Sequence, residues 1–245
     1  MARINELIQE AKLNNSKILN LVSVDERLTV FPDEILELTK LEELSFGSTL
    51  INSIPDKIVN LQNLTKLHIS GTFTDFPLKL REIKALTEIQ FQTDYLEALP
   101  SELDKWDQLD YLNLGRCKSL RKISGLPSNS EYIHIGQTAL TQIPETIFGL
   151  NNLKKIVAVK LGLKSLPNEL FTMKNMSSIY VGHNSIQKFP DTILKLENLL
   201  ELWIDSNGIQ SLPTVITRLV NLRNLNLRDN LLNDLPKDFK NLKHL

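Results

Sequence analysis

The chain has 245 residues, 28 basic against 29 acidic side chains, and a single cysteine. The charge balance does not support a nucleic-acid or anionic-membrane surface, since both require clustered lysine and arginine. One cysteine excludes an internal disulfide framework. No apolar run reaches the ~20 residues of a membrane span, and the polar N-terminus lacks the apolar core of a signal peptide. We therefore expect a cytoplasmic protein.

The first element predicted along the chain is a helix over residues 2–14. Ile4, Leu7, Ile8 and Ala11 fall on one face of this helix at helical spacing. We expect residues 1–17 to form an N-terminal capping helix that shields the open end of the structure that follows. A helix that binds a partner is the alternative.

A short phrase then recurs ten times. The phrases are LTVFP, INSIP, FTDFP, LEALP, LRKIS, LTQIP, LKSLP, IQKFP, IQSLP and LNDLP, spaced 20 to 24 residues apart, and only the fifth lacks a final proline. Before each phrase apolar residues alternate as in a half-buried strand. After it they recur three residues apart, as in a helical or 3₁₀ turn. Proline suits the start of such a turn, where its missing N–H has no partner anyway.

The last unit shows the pattern most fully: Leu222-x-x-Leu225-x-Leu227-x-x-Asn230-x-Leu232-x-x-Leu235-Pro236. This resembles the leucine-rich repeat consensus. Its 23-residue spacing resembles the class of plant intracellular Ras-group-related, Ras-suppressor-like and bacterial leucine-rich repeat proteins. The resemblance implies an α/β fold in which residues 18–245 form a single curved solenoid of about ten repeats. Its parallel β-sheet would line the concave face, with short helical or 3₁₀ turns on the convex face.

The consensus asparagine of this family bonds backbone groups of its own and the adjacent coil, which forms a ladder through the stack. Residues at this position are Thr49, Thr72, Asp94, Cys117, Thr138, Leu161, Asn184, Asn207 and Asn230. Leu161 cannot make the bond. We therefore expect the ladder to be most regular after residue 176.

The repeat is irregular at about 115–135, where a spacing of 24 is followed by one of 20. We expect the helical turn to be replaced here by an extended link. At the other end, Leu245 would open an eleventh repeat, and no C-terminal cap is evident. We expect a monomer; association through the uncapped end, or a longer natural chain, are the alternatives.

Sequence signatures of catalysis are absent. The chain has no phosphate-binding loop, no G-x-G-x-x-G, no G-x-S-x-G and no H-E-x-x-H, so we expect no enzyme activity and no cofactor. The four histidines show no zinc-ligand spacing, which predicts no metal site. An enzyme that pairs Cys117 with His134 is an alternative, but the inward position of Cys117 favours an inert structural thiol.

Outward residues of the strands should line the concave face, which is the usual contact surface of such solenoids. Packing gives no reason for aromatic residues here, yet three tyrosines and a tryptophan occupy these positions. The predicted partner-binding residues are Tyr111, Asn113, Tyr132, His134, Tyr180, His183, Trp203, Asp205 and Arg228. Gly115, Gly136 and Gly182 should leave depressions beside the aromatic side chains, as binding hot spots often have. Scattered exposed aromatic residues are the plainer interpretation.

The sequence thus predicts a non-catalytic scaffold or recognition module that binds a protein or peptide partner on its concave face, and no nucleic acid. Two alternatives remain open. The aromatic patch could bind a small ligand or a glycan, or the chain could be the sensor portion of a larger signalling or effector protein.

Overall fold

The structure, a computed structural model, describes residues 2–22, 28–47 and 49–245. Met1 of the predicted capping segment, and positions 23–27 and 48 of the predicted repeats, lie outside the described residues. A helix, α1, spans Ala2–Leu13. The strands in chain order are β1 (Ile18–Asn20), β2 (Glu43–Phe46), β3 (Lys66–Gly71), β4 (Glu88–Thr93), β5 (Ala98–Leu99), β6 (Tyr111–Asn113), β7 (Lys122–Ile123), β8 (Tyr132–His134), β9 (Lys155–Val157), β10 (Ser178–Tyr180), β11 (Glu201–Trp203) and β12 (Asn224–Asn226).

The chain divides into two compact units, residues 1–127 and 128–245, and the division falls within the irregular repeat. In the first unit β1, β2, β3, β4 and β6 lie side by side in that order, all parallel. The register pairs equivalent consensus positions, such as Leu44 with Leu67. Each repeat therefore stacks its inward leucine or isoleucine on that of the next repeat.

The second unit repeats this arrangement. Its strands β8, β9, β10, β11 and β12 are parallel neighbours in chain order. Ile156, Ile179 and Leu202 are register partners on successive strands, and all three side chains are fully buried. The residues that flank these three along their strands point to the opposite face of the sheet, here called the strand face.

Short 3₁₀ helices lie opposite the strands. Those in the described ranges are Asp33–Glu37, Asp56–Asn60, Leu78–Glu82, Ser101–Lys105, Glu145–Gly149, Asn168–Thr172, Asp191–Lys195, Thr214–Arg218 and Phe239–Asn241. All but the last directly follow a proline. In seven of these eight the proline carbonyl oxygen accepts the first helical bond, as from Ile216 N to Pro213 O at 3.0 Å. Proline has no N–H to leave unsatisfied at this point. Parallel strands and 3₁₀ turns confirm the predicted solenoid fold class.

Helix α1 packs beside β1 and the first 3₁₀ helix. It buries Ile4, Ile8 and Ala11, so its apolar face meets the first coil. No helix within the described ranges is long and apolar enough to cross a membrane. A single solenoid over 18–245 and a missing C-terminal cap stay predictions.

The irregular repeat has an extended link instead of a turn. No 3₁₀ helix is described between Ser101–Lys105 and Glu145–Gly149. Strand β7 instead pairs with β5 in a small two-stranded parallel sheet, and Ser124 N donates to Leu99 O at 3.1 Å. A Cβ on Gly125 would lie 2.3 Å from the carbonyl oxygen of Ser101. Only glycine permits this close approach of the two backbones.

Candidate functional site on the strand face of the second unit

The structure distributes the nine predicted partner-binding residues over both units. Tyr111 and Asn113 lie on β6 in the first unit, and both are half-buried. The other seven residues lie in the second unit, on or just after β8, β10, β11 and β12. Two of them, Tyr180 and Trp203, stand opposite each other on β10 and β11 and form the centre of the site.

Tyr180 and Trp203 stack face to face. Their ring centroids are 4.9 Å apart and their planes differ by 16°. The Lys155 Nζ atom lies 4.1 Å from the Tyr180 ring centroid. Lys155 lies on β9 and Trp203 on β11, the two strands that flank β10. The phenol ring thus contacts both a cation and an indole.

Glu201 holds the hydroxyl end of the same tyrosine. Tyr180 Oη donates to Glu201 Oε2 at 2.6 Å, and Ser178 Oγ donates to that oxygen at 3.1 Å. Asn224 Nδ2 donates to Glu201 Oε1 at 3.2 Å, and Lys155 Nζ lies 3.8 Å from Oε2. Both carboxylate oxygens therefore have partners, and Glu201 fixes the hydroxyl end of Tyr180.

These contacts move the pKa values of Glu201 and Tyr180 further apart. The hydrogen bond from Tyr180, helped by Ser178, Lys155 and Asn224 against the opposing effect of burial, lowers the pKa of Glu201. Burial, with the hydrogen bond to Glu201, raises the pKa of Tyr180 to about 12. At neutral pH the phenol is therefore the donor and the carboxylate the acceptor.

Trp203 is the exposed member of the stack. It retains 41% of its accessible surface, although Tyr180 covers one of its faces. On its β12 side lies a hollow of about 680 Å³. The hollow is lined by Trp203, Arg223, Asn224, Leu225, Asn226, Leu227, Arg228, Leu235, Phe239 and Leu245. One indole face is thus available to another molecule.

The depressions expected at two of the three glycines, Gly136 and Gly182, are filled. A Cβ on Gly182 would lie 2.7 Å from Asp205 Oδ1, and one on Gly136 would lie 2.7 Å from Val159 Cγ2. In each case a side chain of the next repeat occupies the space. Asp205 Oδ1 also accepts from Asn226 Nδ2 at 3.0 Å, and Asp205 Oδ2 lies 3.5 Å from His183 Nε2. The glycines admit side chains of this protein rather than forming pockets.

The asparagine ladder of the second unit is extensive. Asn184 Oδ1 accepts from Leu161 N and Leu163 N at 2.9 and 3.1 Å, and its Nδ2 donates to Ala158 O at 3.0 Å. Asn207 and Asn230 repeat this pattern one and two coils later. Each asparagine joins two coils, which holds the adjoining strands in register.

In the first unit, side chains other than asparagine occupy the ladder positions. Cys117 Sγ donates to Phe91 O at 3.3 Å, and burial raises the pKa of this thiol to about 12. In the repeat before it, the structure differs from the sequence prediction. Thr93, at the end of β4, points inward and donates to Phe73 O at 2.9 Å, whereas Asp94 is exposed and pairs with Lys118. Strand β4 is six residues long, so its alternation continues through Thr93.

Threonines fill two further positions. Thr49 Oγ1 donates forward to Ser70 O at 2.6 Å, while Thr72 Oγ1 donates back to Leu50 O at 3.1 Å. A threonine reaches only one coil at a time, whereas asparagine reaches two. The ladder of the first unit is therefore thinner than that of the second.

The sequence analysis did not assign Lys155, Ser178 and Glu201 to the site, because charged side chains at exposed strand positions are usually solvated. A signal was available. Glu201 stands two residues before Trp203 on the same strand face, directly opposite Ser178 and diagonal to Tyr180. Diagonal partners across neighbouring strands are within reach of long side chains.

No cluster of metal-ligand side chains occurs in the described part of the chain.

Several solved structures are similar to this one. The internalin InlF from Listeria monocytogenes matches over 99% of this chain and 78% of its own, with 19% identity and a TM-score of 0.65. The leucine-rich repeat domain of the type III effector XopL matches over 97% and 77%, with 18% identity and a TM-score of 0.55. A chain of the Drosophila Toll–Spätzle complex matches over 93% and 38%, with 21% identity and a TM-score of 0.55.

No family model matches the chain, and no curated protein matches its sequence. The likeness to solved structures extends over nearly the whole chain at low identity, so it concerns the fold. The repeated phrase, the parallel strands, the proline-led 3₁₀ turns and these neighbours show that the chain has the fold of the leucine-rich repeat superfamily.

Proposed function

We propose that this protein is a non-catalytic interaction module whose second unit binds a protein or peptide partner on the strand face. The observation that carries the proposal is the stack of Lys155, Tyr180 and Trp203, tied by Glu201, with 41% of Trp203 exposed. An exposed tryptophan that is already held in place loses little conformational freedom when a partner covers it. Such preorganised aromatic side chains are typical hot spots of protein interfaces.

The polar groups around the stack favour a protein over a glycan. The amides of Asn224 and Asn226 already donate to Glu201 and Asp205. These two amides are therefore engaged within the protein, whereas an apolar side chain of a partner needs only the indole face. One similar structure is itself a complex of two proteins, Toll with Spätzle, which fits an interaction role for this fold.

The structure also supports a non-catalytic role. The thiol of Cys117 is the group that a nucleophilic mechanism would need, but it is fully buried and its pKa is raised to about 12. A protonated, inaccessible thiol is a poor nucleophile at neutral pH. Its bond to Phe91 O supports a structural role instead.

Partner capture with matched variants tests this proposal. The immobilised full chain captures partners, which are identified, purified and measured by titration against wild type, Trp203→Ala and Val220→Ala. Val220 is an exposed apolar residue beside the 3₁₀ helix Thr214–Arg218, so it controls for the loss of exposed apolar surface. We expect Trp203→Ala to weaken binding about 30-fold, as for a hot spot of ~2 kcal/mol, and Val220→Ala to have no effect. Equal affinity for all three proteins would refute the proposal.

A further inference from the structure

We propose that a cleft between two repeats of the second unit binds a segment of a protein partner in which a lysine or arginine stands beside an apolar residue. The cleft lies between residues 141–148 of one repeat and residues 161–169 of the next, and its volume is about 860 Å³. This volume is within the ordinary range of ligand pockets. The cleft shares no lining residue with the strand face, so it is a second, separate contact site.

The two repeats that border the cleft lack a backbone link that later repeats have. Ser185 N donates to Leu163 O at 2.8 Å, and the next two junctions repeat this bond. At the cleft the equivalent groups are Gly162 N and Leu140 O, and no backbone bond joins them in the described structure. The φ angle of Gly162 is +72°, which glycine adopts without strain. Gly162 N–H thus lacks the backbone acceptor of its counterparts, and a main-chain oxygen of a bound segment can replace it.

The same junction lacks a ladder amide. Asn184 Oδ1 accepts from Leu161 N and Leu163 N and so joins this repeat to the next one. Leu161 offers no amide to the preceding repeat, and Leu140 N instead donates to Thr138 Oγ1, within its own coil, at 3.4 Å. The cleft is therefore located where the ladder is interrupted.

The cleft has an apolar floor and a polar rim. Ile143, Leu161 and Leu163 are buried and form the floor. The exposed lining residues with polar side chains are Thr141, Gln142, Glu145, Lys164, Ser165 and Glu169. Within the described residues, no hydrogen bond or salt bridge joins any of these six side chains to the rest of the chain. Their hydrogen-bonding groups are thus available to another molecule.

The charge of the rim favours a basic side chain. Glu145 and Glu169 supply two carboxylates against the one ammonium group of Lys164. Glu145 and Phe148 stand three residues apart on the 3₁₀ helix Glu145–Gly149, and side chains at this spacing eclipse each other. The stem of a lysine or arginine can therefore pack on the Phe148 ring while its charged end pairs with Glu145. A carboxylate would meet the excess of negative charge.

A peptide segment fits the cleft better than a free amine or a second copy of this chain. A free amine would occupy the charged rim and leave the apolar floor exposed, whereas the residue next to the lysine or arginine can bury an apolar side chain there. Two copies that met symmetrically at the cleft would place the same carboxylates opposite each other, and like charges in direct opposition are destabilising.

Selection from a random 12-residue peptide display library tests the cleft with a defined probe. The full chain is the bait, and Ser165→Trp, which places a large ring at the rim, is the counter-selection. We expect enrichment of peptides in which lysine or arginine stands beside an apolar residue. The double variant Glu145→Lys/Glu169→Lys should weaken the synthetic peptides roughly fivefold or more, as for the reversal of exposed ion pairs. It should also select acidic peptides instead of basic ones.

Glu197→Lys is the matched control, because Glu197 is an exposed glutamate just after the 3₁₀ helix Asp191–Lys195 and does not line the cleft. It should change neither the selected motif nor the affinity. Peptides that bind Ser165→Trp as tightly as wild type, that show no preference for lysine or arginine, or that ignore the double charge reversal would overturn the proposal.

Two other outcomes also overturn it. If the selected peptides are lost in Trp203→Ala but not in Ser165→Trp, they bind the strand face, which supports the proposed function and not the cleft. A dimer in sedimentation of the wild type that Ser165→Trp abolishes would assign the cleft to a second copy of this chain.

Discussion

Thr138 makes, from its own coil, the ladder bond that Leu161 cannot make. Asn184 Nδ2 donates to Ala158 O, 26 residues earlier, and the equivalent acceptor for position 161 is Ile135 O. Thr138 Oγ1 donates to Ile135 O at 2.8 Å and accepts from Leu140 N at 3.4 Å. The gap in the ladder is therefore filled from the neighbouring repeat.

Thr138→Val should accordingly destabilise the fold. It removes the partner of two backbone groups, and an unsatisfied buried group costs about 1–3 kcal/mol. Thr172→Val is the control, because the exposed Thr172 makes one bond to Glu169 O within its own turn; we expect it to cost under about 0.5 kcal/mol. Free energies of unfolding in urea measure both.

A double variant sharpens this test. In the Thr138→Val background, Leu161→Asn places an amide where it can reach Ile135 O, so the two changes together should cost less than the sum of their separate costs. Strict additivity would show that Thr138 does not stand in for the ladder residue.

Cys117 should respond to pH as a buried thiol. Its pKa is raised from 9.0 to about 12 by burial, so its contribution to stability is complete below pH 9 and is lost as the pH rises toward 12. We expect the free energy of unfolding to fall between pH 8 and pH 10.5, with a smaller fall in Cys117→Ala. A thiol reagent at pH 8 should label the wild type only after unfolding. Rapid labelling of the native protein would contradict the structural role.

The residue just before each later ladder position adopts a left-handed backbone. Those with positive φ are Arg116, Gln137, Lys160, His183, Ser206 and Asp229. β-branched residues tolerate this region poorly, so Lys160→Val should lose about 1–2 kcal/mol relative to Lys160→Gly. Lys164→Val, at a nearby exposed position without a positive φ, should be nearly neutral. Melting temperatures of the three variants decide the order; equal values for Val and Gly at 160 would exclude the backbone effect.

The Tyr180–Glu201 pair can be tested by titration. Tyr180→Phe removes the largest cause of the lowered Glu201 pKa, so that pKa should rise toward 4.5. Glu201 stabilises the folded state above its unfolded pKa and loses this effect as the pH falls through the folded value; the variant should therefore lose less stability on acidification. Carboxyl NMR titration of Glu201 measures the shift. Tyr95→Phe, which changes an exposed tyrosine, should leave the Glu201 pKa unchanged.

The sequence predicts the fold well because its information is periodic. Leucines at period 2 and prolines at the turns determine the strands, the 3₁₀ helices and the register of Leu44 with Leu67. The positions of Thr93 and Asp94 could not be predicted, because they depend on how far β4 continues beyond the consensus strand.

The site was predictable only in part for a similar reason. The strand-face position of Trp203 follows from alternation alone. The roles of Lys155 and Glu201 depend on side-chain directions, and the filling of the space at Gly182 depends on the rotamer of Asp205. The spacing of the repeats determines neither the directions of these side chains nor their rotamers.

A bound partner should cover Trp203. In Trp106→Phe, Trp203 is the only tryptophan, so the emission and iodide quenching of this variant report on that side chain alone. Saturating amounts of the identified partner should shift the emission to shorter wavelength and protect Trp203 from iodide. Unchanged emission and unchanged quenching with the partner fully bound would contradict it.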